Sequence, residues 1–284
     1  MDESIFDIFK GWNGIIFLIS VLASALILER IIPWRREDKV DVWRWARNAS
    51  MTFYGTIFLS LAPFLGTYLG AVVAGEQGIG LFNAISVGLW VQILVSVFVL
   101  DSLTYIEHRF LHKYYILWRA HRAHHGDTQI DATTSLRFHP FETLLRSAFG
   151  IPFIFMLGVP PEAVLVYFAV NVLMNTWSHA NITLPGSVDR VISKVIITPN
   201  MHRLHHSALP EHLDKNFGTI FAMWDQLFGT YCGPGELADD EPFGLDGPEE
   251  ISPDSFANIA LDPFRTPEAA AIPKATNSGK IIRL

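Results

Sequence analysis

The sequence is poor in charged residues and in cysteine. Only 17% of its 284 residues are charged while 50% are hydrophobic, whereas about a quarter of the residues in a typical soluble domain are charged. A single cysteine, Cys232, excludes an intramolecular disulfide and leaves too few thiols for an iron–sulfur cluster. The chain also lacks a Walker-type phosphate loop, an HExxH motif and a nucleophile motif, which argues against a hydrolase.

Long apolar runs take the place of the missing charge. A helix needs roughly 20 mostly uncharged residues to cross about 30 Å of hydrocarbon. Three runs meet that length: Trp12 to Ile32, Met51 to Gly75 and Leu81 to Leu103. The acidic N-terminus and the absence of a cleavage site predict that the first run stays as an anchor rather than acting as a signal peptide.

A fourth apolar run, Thr143 to Trp177, is interrupted by Pro152 and by the segment Gly158-Val159-Pro160-Pro161. Proline and glycine at these places predict two helices that form a hairpin. The sequence therefore predicts an all-α, multi-pass membrane protein.

Charge is distributed unevenly along the chain. Basic residues crowd the loop after the first apolar run, whereas the loop around Glu76 has none; the basic residues are Arg30, Arg35, Arg36, Lys39, Arg44 and Arg47. Cytoplasmic loops are enriched in Lys and Arg, so this loop is predicted to be cytoplasmic. When the predicted helices are followed across the membrane from this loop, all the histidine motifs fall on the cytoplasmic face.

The net charge of −7 comes mainly from acidic residues after position 232. Their interleaving with Pro and Gly predicts a solvated, partly irregular tail. The acidic residues are Glu236, Asp239, Asp240, Glu241, Asp246, Glu249, Glu250 and Asp254.

Most of the 11 histidines fall into three short motifs. The motifs are His108-Arg-Phe-Leu-His112, His121-Arg-Ala-His124-His125 and His202-Arg-Leu-His205-His206. Positions i, i+3 and i+4 share one face of a helix, so each motif projects two or three imidazoles toward a metal. Eight imidazoles exceed what one tetrahedral zinc uses, which predicts two metal ions.

All-nitrogen ligand sets suit iron, zinc, copper and nickel about equally, so spacing does not choose the metal. A location beside the membrane favours oxidation of a lipid. A membrane metal transporter is the alternative from another class, but it would need ligands along a path through the bilayer. The motifs instead follow the apolar runs.

Two further histidines are candidate ligands. His179 ends an otherwise apolar helix on which Asn171, Asn175 and His179 form an i, i+4, i+8 stripe, and polar groups at membrane depth usually serve function. His139 lies in a Phe-His-Pro segment, where ligation and a structural hydrogen bond are both reasonable. His212, beside Pro210 and Glu211, is predicted to be an exposed loop residue.

Several polar residues are candidates for orienting the ligands. Asp101 shares a helical face with Tyr105, His108 and His112, so it is predicted either to orient an imidazole or to make a polar contact between helices. Asn175 and Asn181 are further candidates. Arg137 and Glu142 belong to the same set, although a simple Arg–Glu pair would also explain them.

These motifs, taken in order, resemble the fatty acid hydroxylase/sterol desaturase superfamily of integral-membrane di-iron oxygenases. The resemblance spans about residues 85–232. It rests on Asp101 through His112, His121 through His125, Arg137-Phe-His139-Pro140-Phe-Glu142, Ser178-His179-Ala-Asn181, Asn200 through His206, Asn216-Phe-Gly218 and Trp224 through Tyr231.

The resemblance implies transmembrane helices capped by a cytosolic helical region that holds two iron ions. It implies that O2 is the co-substrate and that a separate electron-transfer protein, linked to NAD(P)H, supplies electrons. The substrate would be a lipid or sterol, hydroxylated at a C–H bond; a desaturase or carotenoid-type hydroxylase on the same metal site is the alternative. No nucleic-acid partner is expected.

The expected domain organisation has three parts. Residues 1–84 form N-terminal membrane helices and the basic loop, 85–232 form the di-iron domain, and 233–284 form the acidic tail. The expected metal ligands are His108, His112, His121, His124, His125, His139, His179, His202, His205 and His206.

Overall fold

Helices account for the regular structure of this chain. A computed structural model describes residues 5–36, 39–62, 66–245 and 255–264, and within these ranges no strand occurs. The helices are α1 (Gly11–Ile31), α2 (Val42–Leu61), α3 (Thr67–Glu76), α4 (Leu81–Ala84), α5 (Leu89–Lys113), α6 (Tyr115–His125), α7 (Pro140–Leu157), α8 (Pro161–His179), α9 (Gly186–Ile192), α10 (Pro199–His205), α11 (Met223–Phe228) and α12 (Phe256–Leu261). The all-α prediction is confirmed.

Among the described helices, α1, α5 and α7 are long and apolar enough to cross a membrane. The helix predicted over the first apolar run is confirmed within one residue at each end. Its apolar side chains are largely exposed, for example Trp12 at 80% and Ile16 at 60%. Exposed apolar surface of this extent is expected on a helix that faces lipid.

The prediction of one continuous helix over 51–75 is wrong. Helix α2 ends at Leu61 and α3 begins at Thr67. The α2 helix begins at Val42, where the side chain of Asp41 accepts a hydrogen bond from the backbone N–H of Arg44 at 2.9 Å. Because the helix begins this early, its first half includes Arg44 and Asn48, which are both buried in polar contacts. Helix α2 is therefore amphipathic rather than wholly apolar.

The predicted boundaries of the 81–103 helix are also wrong. Residues 81–84 form the short α4, and α5 begins only at Leu89, after Gly88. The helix then continues ten residues past Leu103 to Lys113. One uninterrupted helix therefore carries both the apolar segment and the histidines of the first motif.

The predicted hairpin is present as α7 and α8, although Pro152 lies inside α7 and does not break it. The break is at Gly158, whose φ of 66° lies in the left-handed region that favours glycine. Gly80 packs against this turn so closely that a Cβ there would lie 2.1 Å from the backbone N of Gly158. An apolar core joins α3, α5, α7 and α8 through residues such as Ala71, Ile93, Leu100, Ile154 and Ala163.

Part of the acidic C-terminal segment is packed rather than solvated, contrary to the prediction. Glu241 is 1% exposed and Asp262 is 7% exposed. Asp262 follows α12 and forms an ion pair with Arg122 of α6. Four predicted tail acids lie outside the described residues: Asp246, Glu249, Glu250 and Asp254.

Candidate metal centre

Nine buried histidines form two adjacent groups. The first group has five members and the second has four, and within each group the candidate ligand atoms lie within 4.8 Å of one another. The first contains His108, His112, His121, His125 and His205; the second contains His124, His179, His202 and His206. The structure thus brings together nine of the ten histidines expected to bind metal.

Each HxxHH motif divides its histidines between the two groups. His124 belongs to the second group and His125 to the first, and His205 and His206 divide in the opposite order. Successive residues of a helix differ by about 100° in direction, so neighbouring imidazoles cannot point to one ion. A motif of this kind is suited to bridging two sites that lie side by side.

The spacing of the imidazole nitrogens fits metal coordination. Nε2 of His108 lies 3.0 Å from Nε2 of His121, and Nε2 of His179 lies 3.0 Å from Nε2 of both His124 and His202. With imidazole–metal bonds of about 2.1 Å, adjacent ligands at right angles are about 3.0 Å apart and opposite ligands about 4.2 Å apart. The 3.0 Å separations found in both groups therefore match those of adjacent ligands on one ion.

The protonation of these side chains also suits metal binding. Burial, followed by the neighbouring imidazoles, holds the pKa of six of them well below the usual value, which keeps them neutral. The six are His121, His124, His125, His202, His205 and His206. Several buried ring nitrogens have no hydrogen-bond partner among the described residues, for example Nε2 of His112, His125 and His205. Buried nitrogens without partners are costly unless an ion satisfies them, so the residues present fit two metal ions.

Oxygen atoms fix the orientation of five of the rings through Nδ1. His108 donates to the carbonyl of Phe217 at 2.9 Å, and His205 donates to the carbonyl of Lys215 at 2.7 Å. Within α8, His179 donates to the carbonyl of Asn175 at 2.7 Å. Nδ1 of His112 lies 3.5 Å from the carboxylate of Asp214. Such contacts direct Nε2 toward the metal.

The fifth orienting oxygen belongs to Glu142 at the start of α7. Nδ1 of His121 donates to Oε1 of Glu142 at 3.1 Å, and both side chains are only 1% exposed. Arg146, one turn further along α7, donates to the same oxygen at 3.1 Å and lies 3.5 Å from Glu107 of α5. This network links the imidazole to a cation that balances the buried carboxylates.

His139 is the one expected ligand that lies outside both groups. Its Nδ1 accepts the backbone N–H of Phe141 at 3.1 Å, and its Nε2 donates to the carbonyl of Ala260 at 3.1 Å. With both nitrogens engaged, the geometry supports a role as the N-cap of α7.

Of the two roles predicted for Asp101, the structure shows the polar contact between helices. Asp101 accepts hydrogen bonds from the backbone of Ile220 and Phe221 and from the side chain of Trp224, so it joins α5 to α11 and to the segment before it rather than orienting an imidazole. Asn175 acts on His179 through its carbonyl, while its side chain donates to the carbonyl of Ser135.

Asn181 and Arg137 connect chain segments. Asn181 exchanges hydrogen bonds with the backbone of Arg35, and Arg137 donates to the carbonyl of Ala123 and to Asn48. Glu142 is the candidate of this kind whose side chain reaches an imidazole.

The prediction that His212 is exposed is wrong. It is 7% exposed, and its Nδ1 lies 2.7 Å from the carboxylate of Glu241. Together with Cys232 and Glu236 it forms a third, smaller group of potential ligand atoms.

Sequence reasoning missed the segment 214–217, which supplies Asp214 and the carbonyls of Lys215 and Phe217. A carbonyl has no residue signature, so spacing alone could not reveal it. The only available signal was the Asn216-Phe-Gly218 run, and its role depends on the fold.

Comparison with known proteins agrees with this geometry. The family model for fatty acid hydroxylases matches residues 93–230. Ornithine lipid hydroxylase OlsE of Rhizobium tropici is 26% identical over 299 residues, covering 96% of this chain and 88% of that protein. Human alkylglycerol monooxygenase is 30% identical over 226 residues, covering 78% of this chain and 47% of that protein. No solved structure matches significantly.

A third relative, sphingolipid C4-hydroxylase sur2 of Schizosaccharomyces pombe, is 31% identical over 146 residues, or 50% of this chain and 48% of that protein. The chain therefore spans about half the length of the latter two relatives. All nine clustered histidines fall inside the range matched by the family model. Residues 93–230 of the chain therefore form a fatty acid hydroxylase domain.

Proposed function

We propose that this protein is a membrane-bound di-iron oxygenase that hydroxylates a C–H bond of a lipid, using O2 and electrons from a separate NAD(P)H-linked carrier. The observation that carries the proposal is the pair of adjacent buried histidine groups at the end of a membrane-spanning helix. The relatives named as lipid hydroxylases or monooxygenases support the reaction class.

The chain's own residues would hold and orient the two ions. The first group would bind one iron and the second group the other, with His121 to His125 and His202 to His206 contributing to both. Bound there, an iron pair supplies the O2-dependent chemistry needed to oxidise an unactivated C–H bond. The carbonyls and carboxylates at Nδ1 would keep each ring in the tautomer that leaves Nε2 for the metal.

A test of the metal assignment uses pairs of neighbouring histidines. His205→Ala removes a first-group ligand and His206→Ala a second-group ligand. We expect wild-type protein to contain about two irons per chain by elemental analysis, and each variant to lose at least one. Activity should fall more than about 100-fold, since even residues that only support ligands often cost 10- to 100-fold.

The matched controls are His139→Ala and His212→Ala, because both rings are buried but lie outside the two groups. They should retain iron if the protein remains inserted and monodisperse. Full iron content in His205→Ala or His206→Ala, or zinc in place of iron in wild type, would contradict the proposal.

The reaction is tested by product analysis of purified protein with iron, O2 and a reducing system. Ornithine lipid is the first substrate to assay, because the match to ornithine lipid hydroxylase OlsE covers most of that protein's length. An alkylglycerol is the second. A mass increase of one oxygen, labelled from ¹⁸O2, would support hydroxylation. A mass decrease of two hydrogens would instead establish the desaturase alternative.

A further inference from the structure

A cavity of about 260 Å³ lies beside the C-terminal end of α1. Its wall consists of residues from the end of α1, the following loop and the start of α2, completed by residues 129–131 and Asn181. Five cationic and three acidic side chains line it.

Two of the cations have protein partners. Arg35 donates to the carbonyls of Asp239 and Glu241, and Arg44 pairs with Asp127 and Asp131. The other three lining cations, Arg30, Arg36 and Lys39, are exposed and make no side-chain hydrogen bond or ion pair in the described part of the chain. Within the described residues, these three charges therefore have no protein partner and can bind an anionic group.

Glu29 gives the same cavity a carboxyl group. It is 9% exposed, and its Oε1 accepts the backbone N–H groups of Ala132 at 2.7 Å and Asn181 at 2.8 Å. Both bonds use one oxygen, and Oε2 has no hydrogen bond within the described residues. No cationic side chain lies within ion-pair distance of this carboxylate in those ranges, so it can accept a cation from a ligand.

The cavity lies at the end of α1 and close to the histidine groups. It adjoins the end of a helix able to span the membrane, where the headgroup region begins. Asn181 follows His179 by two residues, and because successive Cα atoms are about 3.8 Å apart, their Cα atoms are separated by less than about 8 Å. A molecule held in the cavity is therefore near the second group.

We propose that this cavity binds the zwitterionic headgroup of a membrane lipid. Arg30, Arg36 and Lys39 would bind its anionic group and Glu29 its primary ammonium. The headgroup site is proposed independently of the enzyme's reaction. The further statement that the bound lipid is also the molecule oxidised rests on the proposed function.

The test measures equilibrium lipid binding to the full-length protein in detergent, without an electron donor. The probes are phosphatidylethanolamine, which has a primary ammonium, phosphatidylcholine, which has no N–H, phosphatidylglycerol, which is only anionic, and inorganic phosphate. We expect wild type to bind phosphatidylethanolamine at least fivefold more tightly than the other two lipids, and free phosphate more weakly still.

Two variants separate the two charges. The triple variant Arg30→Gln, Arg36→Gln and Lys39→Gln should weaken the binding of phosphatidylethanolamine at least tenfold. Glu29→Gln keeps an oxygen for both backbone N–H groups, so it should remove the preference for phosphatidylethanolamine over phosphatidylglycerol without unfolding the protein. The control Arg190→Gln with Lys194→Gln changes exposed cations that do not line the cavity and should leave binding unchanged.

Each contrary result overturns the site. Equal binding of phosphatidylglycerol and phosphatidylethanolamine by wild type would rule out a zwitterionic ligand, and phosphate binding as tight as lipid binding would rule out a lipid site. An equal loss in the control would show a general surface-charge effect. Because turnover is not measured, an inactive metal centre would leave these results unaffected.

Discussion

Four consecutive residues, 214 to 217, position three of the clustered histidines. Asp214 and Asn216 have φ values of 60° and 51°, a left-handed conformation that costs a non-glycine residue roughly 1–2 kcal/mol. The side chain of Asn216 offsets this cost: it donates to the carbonyls of Met201 and Cys232 and accepts the N–H of Cys232 at 2.8 Å. The strained backbone thereby presents the carbonyls of Lys215 and Phe217 to the imidazoles.

We predict that Asn216→Ala weakens metal binding. The change leaves buried backbone groups without partners, at about 1–3 kcal/mol each, and lets the carbonyls move away from His108 and His205. Metal affinity, measured by competition with a chelator, should fall about 10- to 100-fold. Asn216→Gly tolerates the left-handed φ but still loses the side-chain bonds, so it should show a smaller loss. Unchanged affinity in Asn216→Ala would refute the positioning role.

Acidification should release metal and destabilise the protein together. Burial lowers the pKa of six clustered imidazoles, such as His121 and His206, well below its usual value of about 6.5. When the pH falls below about 6.5, these histidines become protonated in the unfolded chain but not in the folded chain. The free energy of unfolding therefore falls as the pH falls. Melting temperature and metal content should both decline between about pH 7 and pH 5. A melting temperature that stays constant over this range would contradict the assignment.

At the scale of single residues, the sequence allowed prediction of those side chains that follow a periodic pattern. His108 and His112 stand out because i, i+4 spacing is a property of the helix they occupy. The role of the Lys215 carbonyl could not be predicted, since it depends on how residue 215 meets α10 in space. The division of His124 and His125 between two groups was missed, because histidines on one face of a helix were assumed to point at one metal ion.

At the scale of elements, α5 joins the membrane segment to the metal centre. Its apolar residues pack against α8, and Asp101, within the same helix, binds the segment before α11. Because α5 is continuous from Leu89 to Lys113, the direction of His108 is set by the rotation of the membrane helix. The centre therefore depends on the helical register of α5.

We predict that inserting one alanine between Leu103 and Thr104 abolishes iron binding. The insertion would turn His108 and His112 by about 100° relative to the membrane segment, away from His121 and His205. Iron content should fall while the protein still inserts into membranes. The matched control places the alanine between Val87 and Gly88, before the helix, where the register from Leu89 onward is preserved. Similar iron content in the two insertions would show that the register does not matter.

Apolar runs predicted which parts of the chain form helices better than where the helices end. The bounds of α1 were predicted within one residue because the helix ends where the apolar run ends. Helix α2 was misplaced because its start depends on Asp41 and on buried partners of Arg44 such as Asp127, which lie 83 residues further along the chain. Long-range polar contacts of this kind leave no local pattern. The three-part domain organisation stays a prediction.

At the scale of the whole molecule, the helices define two opposite ends. Backbone bonds join the end of α1 to the segment after α8, where the N–H of Trp34 donates to the carbonyl of Asn181 at 3.1 Å. This end holds the histidine groups. The other end contains the hairpin turn at Gly158 and the neighbouring Gly80, and α5 rises about 28 Å between Leu89 and His108. That separation is close to the thickness of the hydrocarbon layer.

This arrangement, combined with the basic loop, predicts that the metal centre faces the cytoplasm. Single cysteines at the exposed positions Val42, Glu211 and Gln77 test it in a Cys232→Ser background. Val42 and Glu211 lie toward the histidine end, so an impermeant thiol reagent should label both only after the membrane is opened. Gln77, near the opposite end, should be labelled in intact cells. Labelling of Val42 and Glu211 from opposite sides would overturn the hairpin topology. Labelling of both in intact cells would keep the topology but place the centre, and the partner that reduces it, outside.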